Sequence, residues 1–384
     1  MNPNYARQVK EEIDRLLAVG FIYPIEKANW LSPIVIVPKK NGKLRVCVDY
    51  RKLNAATVSD PFPIPFTNLM LDAVAGHEMY SFLDGFSGYN QVRMAPEDRE
   101  KIAFITEWGA FASNVMMFGL KNAPATFQRM VQEIFYEYLT TFMRVFVDDF
   151  SVFGKQAEHL HQLMLCLEKC RQSKLKLNPA KCAFAVTSGV LLGHIVSKDG
   201  LAVDPQKVEV IRKLRTPCNI KELSRFLGQI KWHTRFMRYL SHIAYPLYAL
   251  TKKEVVYRWS DSCSKAFHAL KLILSVAPVL QEPDWNKEFH VFVDASDLAI
   301  GSALMQETEG WFRPIYYASR MLSTAEKNYH TTEREALGLI YSVTKFRHYL
   351  LGNKFVFHVD HQALLYIVNK PNLTWKLARW MLIL

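Results

Sequence analysis

Val9, Ile13, Leu16 and Leu17 recur at helical spacing, and Gly20 stands where a C-terminal cap belongs, which predicts an amphipathic first helix. The period then shortens. Ile34–Val37 is an apolar run stopped by Pro38, Leu44–Val48 resumes it, and Asn41-Gly42 between them signals a hairpin whose tip carries Lys39, Lys40 and Lys43. Met79–Leu83 is another β-type run, ending at Asp84-Gly85. Met143–Val147 and Phe150–Phe153 flank Asp148-Asp149, which the pattern places at a two-residue turn. From Asp204 the texture becomes helical. Asp204-Pro205 reads as an N-cap with proline at the first helical position. Ile220, Leu223, Phe226, Leu227 and Ile230 then share one helical face, with Lys221, Arg225, Lys231 and Arg235 on the others. A connector marked by Pro278 and Pro283 leads to β-type runs near Phe289–Val293, Ile300–Gln306 and Pro314–Ala318. A helix from about Thr332 to Leu351, ended by Gly352, and a strand at Phe355–Val359 follow.

Composition narrows the class. The 384 residues are 50% hydrophobic and 22% charged, which excludes a disordered chain and suits two or three folded domains. No apolar run is long enough to span a bilayer, so no membrane partner is expected. Met1–Asn4 lacks the basic and apolar stretches of a signal peptide, and six sparse cysteines do not form a disulfide framework. A cytoplasmic or nuclear location is expected. Cys166 and Cys170, with His159, His161 and Cys182 nearby in sequence, match no usual zinc spacing and read as buried thiols. The net charge is +12, and residues 204–270 hold 13 basic against 5 acidic residues. That concentration points to a polyanion meeting the helical segment.

The chemistry lies in the acids. Asp84, Asp148 and Asp149 end apolar β-type runs, where a charge adds no stability. Adjacent aspartates repel unless a cation offsets them, and Mg²⁺ takes such oxygens while keeping waters and substrate phosphates as other ligands. Favoured turn chemistry explains each element separately. Their neighbours decide between the two. Val48-Asp49-Tyr50-Arg51-Lys52-Leu53-Asn54, Phe82-Leu83-Asp84-Gly85-Phe86-Ser87-Gly88-Tyr89, Phe118–Gln128, Phe146-Val147-Asp148-Asp149 and Leu192-Gly193-His194 occur in this order. Together they closely resemble the reverse transcriptase of gypsy-type long-terminal-repeat retrotransposons, over nearly the whole chain.

The resemblance implies an α+β architecture: a right-hand polymerase with fingers, palm and thumb, then a ribonuclease H-like α/β domain truncated at its C-terminus. Fingers and palm would occupy residues 1–203, thumb and connection helices 204–277, and the ribonuclease H-like domain 278–384. Asp84 and Asp148 would be the principal Mg²⁺ ligands, two ions per site, with Asp149 the second member of the pair. Tyr89 would exclude a ribose 2′-hydroxyl. Lys39, Lys40 and Arg45 would meet the deoxynucleoside triphosphate, Arg45 favoured for its bidentate geometry. Phe118 and Gln128 would lie near template and nucleotide, and Leu192, Gly193 and His194 would grip the primer end. Lys221, Arg225, Lys231 and Arg235 would hold the duplex backbone. The implied partners are an RNA template, a DNA primer and their RNA–DNA hybrid. Met117 replaces a usual proline and Ile102 a common threonine; neither removes a metal ligand.

In the last module, Asp294 on an apolar strand, Glu335 on the following helix and Asp360 after the last strand resemble the acids of the attached ribonuclease H domain, again with two Mg²⁺. Glu335 competes with Glu333, because Thr332-Glu333-Arg334-Glu335 also reads as a capping box. The sequence ends at Leu384 before the family's fourth metal-site aspartate, so weak or absent cleavage is expected. No Asp-Thr/Ser-Gly protease motif, zinc knuckle or integrase module occurs in it. A non-enzymatic, nucleic-acid-binding remnant of a decayed element is therefore the competing reading.

Overall fold

The computed structural model describes residues 3–38, 44–253 and 255–359. It divides into two compact units, Met1–Met70 with His77–Gly189, and Leu71–Gly76 with Val190–Leu384.

In the first unit, α1 (Pro3–Ala18) buries Val9, Ile13 and Leu16, and Gly20 takes the left-handed conformation expected of a helix stop. β1 (Ile22–Ile25), β2 (Leu31–Pro38) and β3 (Leu44–Val48) follow, the last two paired antiparallel with Pro38 opposite Leu44. After the short α2 (Arg51–Ala56), α3 (Thr67–Val74) leads to β4 (Met79–Asp84). β5 (Ala103–Thr106) and β6 (Gly109–Ser113) complete a five-stranded sheet of order β1-β6-β5-β2-β3. Then come α4 (Ala123–Ile134), β7 (Met143–Phe146), β8 (Asp149–Gly154), α5 (Gln156–Ser173) and β9 (Ala183–Val186). The second sheet has the order β7-β8-β4-β9. Phe127 and Val131 of α4, Phe135 just after it, and Leu163, Cys166 and Cys170 of α5 share its core with Val145, Phe150 and Val152. The two thiols are thus packing groups, and burial raises both above the ordinary cysteine value.

The β7–β8 turn differs by one residue from expectation. Phe146 pairs with Asp149, so the two-residue turn is Val147-Asp148 and Asp149 opens β8. Val147 has φ 50°, a conformation that a β-branched residue rarely adopts.

In the second unit, β10 (Ser188–Leu191), β11 (His194–Ser197) and β12 (Gly200–Val203) form a three-stranded sheet. Asp204 caps α6 (Pro205–Arg212) by accepting from the Gln206 N–H at 2.9 Å. α7 (Ile220–Trp232) buries Leu223, Phe226, Leu227 and Ile230, while Ile220 at its first turn is exposed. α8 (Leu240–Ile243), α9 (Tyr245–Ala249) and α10 (Asp261–Ser275) complete this helical core. A four-stranded sheet follows: β13 (Phe289–Ala295), β14 (Ala299–Thr308) and β15 (Trp311–Met321) run antiparallel, and β16 (Phe355–His358) adds parallel to β13. α11 (Thr331–Leu350) covers it through Ala336, Leu339, Phe346 and Tyr349. Its N-cap is His330, whose backbone N–H donates to Glu333 at 3.2 Å. The capping box therefore begins two residues before Thr332 and engages Glu333, not Glu335.

Candidate active site

β4 and β8 pair so that Asp84 lies opposite Asp149, and Asp148 sits on the adjoining turn. Strand pairing therefore brings Asp84 together with two acids from far along the chain. The Gly85 N–H donates to the Asp148 carbonyl at 3.0 Å, closing the end of the ladder. Gly88 is required here by space. A Cβ on it would fall 2.1 Å from Asp148 Oδ1, so only glycine lets the carboxylate approach this turn.

Gln128 supports the turn from beneath. Its Nε2 donates to the Val145 carbonyl at 3.1 Å and its Oε1 accepts from the Val147 N–H at 2.6 Å. The side chain is fully buried, which corrects the expectation of a template or nucleotide contact: Gln128 is a positioning residue for Asp148. Tyr89 packs against Phe118 at 4.8 Å and edge-on to Phe127 at 5.7 Å between ring centroids. Phe118 is exposed, and with Asp84 and Asp148 it lines a cleft of roughly 390 Å³. Lys39 and Lys40 lie outside the described residues; Arg45 occupies β3 opposite Val37.

Electrostatics make this an anionic site held at a cost. Burial, then the charges of Asp84 and Asp149, push Asp148 up to about 6, against the opposing pull of Lys181. Burial and Asp84 raise Asp149 as well. Burial and Asp148 hold the Tyr89 hydroxyl up at about 12, so it stays a neutral phenol. Asp148 Oδ1 is buried with no hydrogen-bond partner. Lys181, which the sequence did not single out, donates to both Asp84 oxygens, at 3.1 and 3.0 Å. As they stand, no three or more His, Cys, Asp or Glu side chains among the described residues are close enough together to hold a metal ion. An unpartnered, like-charged carboxylate beside Asp84 is nevertheless a fit for Mg²⁺, which needs only one or two protein carboxylates.

The Leu192-Gly193 turn between β10 and β11 has positive φ at both residues, 46° and 77°, as a tight hairpin turn requires. Lys207 donates to the Gly193 carbonyl at 3.3 Å. His194 instead points into the unit, 4% exposed and stacked between Trp232 and Phe236, so it is not placed to meet a primer. Burial first, then the cationic or polar neighbours His233, Arg235 and Lys207, hold His194 down at about 4. Burial and Lys207 hold His233 at about 4, with Asp204 opposing. Both folded values lie below the ordinary 6.5, so the unfolded chain takes up these protons first. Their stabilisation is complete above 6.5 and is lost as the pH falls toward 4. Each is expected to remove about 1–2 kcal/mol of stability between pH 7 and pH 5. Denaturant titrations followed by tryptophan fluorescence check this, with His194→Asn/His233→Asn as the variant in which the slope should flatten; equal slopes would remove the histidines from the account.

Lys221, Arg225 and Lys231 are exposed on α7. Arg235 is not. It lies in a 3-10 turn, 4% exposed, and its Nη2 donates to Asp72 at 2.6 Å and to the Ile315 carbonyl at 3.3 Å. A buried ion pair cannot also hold a phosphate, so Arg235 leaves the duplex-binding set.

In the last module, Asp294 is exposed near the end of β13, and Glu335 is buried in the second turn of α11, which packs across that strand. β16 runs beside β13 with His358 opposite Phe292; Asp360 lies outside the described residues. Tyr239 and His242 join Asp294 and Ser296 around a cleft of roughly 300 Å³, and His242 Nδ1 is 3.3 Å from Ser296 Oγ. Periodicity gave no sign of these two.

Comparison with known proteins gives the family. The family model for reverse transcriptase (RNA-dependent DNA polymerase) matches residues 37–243, and that for the RNase H-like domain found in reverse transcriptase matches 284–384. The chain belongs to the reverse transcriptase family, whose members are RNA-directed DNA polymerases and hence nucleotidyltransferases. Within that family it corresponds to the reverse transcriptase and ribonuclease H-like region of gypsy-type retrotransposon Pol polyproteins. The Pol polyprotein from transposon opus of Drosophila melanogaster is 37% identical over 395 residues, covering 98% of this chain and 39% of that protein. The transposon Tf2-3 polyprotein of Schizosaccharomyces pombe is 31% identical over 388 residues, covering 100% of this chain and 29% of that protein. The chain thus spans less than half the length of these relatives. Among solved structures, a foamy viral protease-reverse transcriptase in complex with dsDNA superposes with a TM-score of 0.87 at 21% identity, covering 98% of this chain and 79% of that one. The same kind of protein in complex with an RNA/DNA hybrid gives 0.85 at 20%, covering 99% and 52%. At that identity the likeness shows the fold. No helix among the described residues is long and apolar enough to cross a membrane.

Proposed function

We propose that the chain synthesises DNA on RNA and DNA templates by two-metal nucleotidyl transfer. The observation that carries the reading is the convergence of Asp84, Asp148 and Asp149 at one end of β4 and β8, with one carboxylate oxygen of the half-buried Asp148, Oδ1, shielded from solvent and without a hydrogen-bond partner. Bound Mg²⁺ would neutralise charge on the triphosphate and favour the primer 3′-oxygen as nucleophile. Asp84 and Asp148 hold the ions, and Asp149 adds charge beside them. Gln128 fixes the turn on which Asp148 rides. Tyr89, braced by Phe118 and Phe127, limits the space at the sugar and so selects against a 2′-hydroxyl. Lys39, Lys40 and Arg45 meet the phosphates, and the Leu192-Gly193 turn positions the primer end. Residues 1–203 serve as fingers and palm and 204–277 as thumb and connection. Lys221, Arg225 and Lys231 give the duplex a sequence-independent, salt-sensitive hold. Catalysis comes from positioning and charge neutralisation rather than from covalent chemistry.

For the attached domain, residues 278–384, Asp294, Glu335 and Asp360 are the metal-site acids for hybrid cleavage. The decisive experiment is primer extension on an RNA template with Mg²⁺ and deoxynucleoside triphosphates. Template-length products are expected, and none when Mg²⁺ is chelated. Hybrid binding without extension would instead make the chain a non-enzymatic remnant. Cleavage of a labelled hybrid, with Glu335→Gln as control, tests the second activity separately.

A further inference from the structure

The segment that carries Lys181 is fastened to the Asp84 strand on both sides of the lysine. Phe86 N–H donates to the Lys176 carbonyl at 2.9 Å, Gly85 bridges Leu177, and the Asn178 N–H donates to the Asp84 carbonyl at 2.8 Å. The Asp84 N–H in turn points to Cys182 Sγ at 3.5 Å, and Ala183 pairs with Phe82. Gln91 closes the arrangement, accepting from the Lys176 N–H at 2.7 Å and donating to its carbonyl at 3.0 Å. The backbone of this segment is thereby held beside Asp84, and the exposed Lys181 side chain reaches from it to bond both carboxylate oxygens. Its charge also opposes the repulsion that raises Asp148 and Asp149.

We infer that Lys181 is an exchangeable counter-ion of the metal site: it holds Asp84 while no divalent ion is present, and ion binding displaces it. This rests on the proposed reading of Asp84 as a metal ligand. Both oxygens of Asp84 are engaged by the ammonium, so a divalent ion and Lys181 compete for the same carboxylate. The lysine thereby keeps the site formed when empty and lowers its affinity for the ion.

The test is Mn²⁺ binding to the chain without nucleotide, read by electron paramagnetic resonance, for wild type, Lys181→Gln, Lys176→Gln and Asp84→Asn. Lys176 is an exposed neighbour on the same segment that does not touch Asp84, so its variant controls for the removal of one charge. Lys181→Gln is expected to bind Mn²⁺ about three- to fivefold tighter, the scale of a partly exposed ion pair, with Lys176→Gln close to wild type. In chelator Lys181→Gln should melt below wild type, and saturating Mg²⁺ should close the gap. Equal affinity of Lys181→Gln and wild type, or an equal gain in Lys176→Gln, overturns the inference while leaving the metal site standing. Wild-type binding that Asp84→Asn does not weaken overturns the inference and the assignment of Asp84 together.

Discussion

Asp148→Asn is expected to reduce primer extension by about 10³-fold or more, because a metal-holding carboxylate contributes several kcal/mol at the transition state. Affinity for a hybrid should stay within about twofold, since the duplex is held elsewhere through its phosphates. The same change should raise the melting temperature of the metal-free chain. Burial, Asp84 and Asp149 push Asp148 up to about 6, above the ordinary 3.8, so the folded state disfavours the ionised form and asparagine lifts that cost at neutral pH. Loss of activity and gain of stability point in opposite directions, which separates loss of chemistry from loss of fold. Melting in chelator and single-nucleotide extension on the same preparations check both. Extension within tenfold of wild type would take Asp148 out of the metal site, and a lower melt with abolished activity would make the defect one of folding.

The acids are singled out less by their place at the ends of apolar runs, which favoured turn chemistry explains as well, than by the ordered motifs around them. Their environment was less legible, and the reasons are non-local. The turn shifted by one residue because Val147 adopts φ 50°, which no local preference predicts; Gln128, 19 residues upstream, stabilises it from beneath. Lys181 sits in an ordinary Pro-Ala-Lys loop, and only the pairing of β9 with β4 carries it to Asp84. The resemblance favours Glu335 over Glu333 as the metal-site acid, but the pattern puts the cap two residues late, since the helix starts after His330 and Glu333 serves it. The helical pattern of residues 220–230 was read correctly for its apolar face except at Ile220, which is exposed. Extending it to Arg235 failed because α7 ends at Trp232, and the following turn carries the guanidinium inward to an aspartate 163 residues earlier.

That burial gives Arg235 a large expected effect on stability and none on the duplex. Asp72 receives Arg235 Nη2 at 2.6 Å on one oxygen and the Tyr349 hydroxyl at 2.5 Å on the other, while the guanidinium lies 4.9 Å from the Tyr316 ring centre. Asp72 belongs to α3, Arg235 to the turn after α7, Tyr316 to β15 and Tyr349 to α11, so four elements meet within the second unit at one charge pair. Arg235→Met leaves Asp72 buried without its counter-charge and is expected to cost about 3–5 kcal/mol. Arg235 Nε and Nη1 find no acceptor, so the native pair is itself incompletely satisfied. Replacing the whole node, Asp72→Leu/Arg235→Met/Tyr349→Phe, should therefore recover most of that stability. Urea denaturation of wild type, the single variant and the triple variant measures it. A duplex-binding role predicts the reverse: Arg235→Met would keep its stability and reduce the dependence of hybrid affinity on salt. For Lys221→Ala/Arg225→Ala/Lys231→Ala, that salt slope should fall by about 2–3, close to one for each phosphate no longer neutralised. An unchanged slope there would return the charge of α7 to a merely solvated surface, and a stable Arg235→Met would dissolve the buried node.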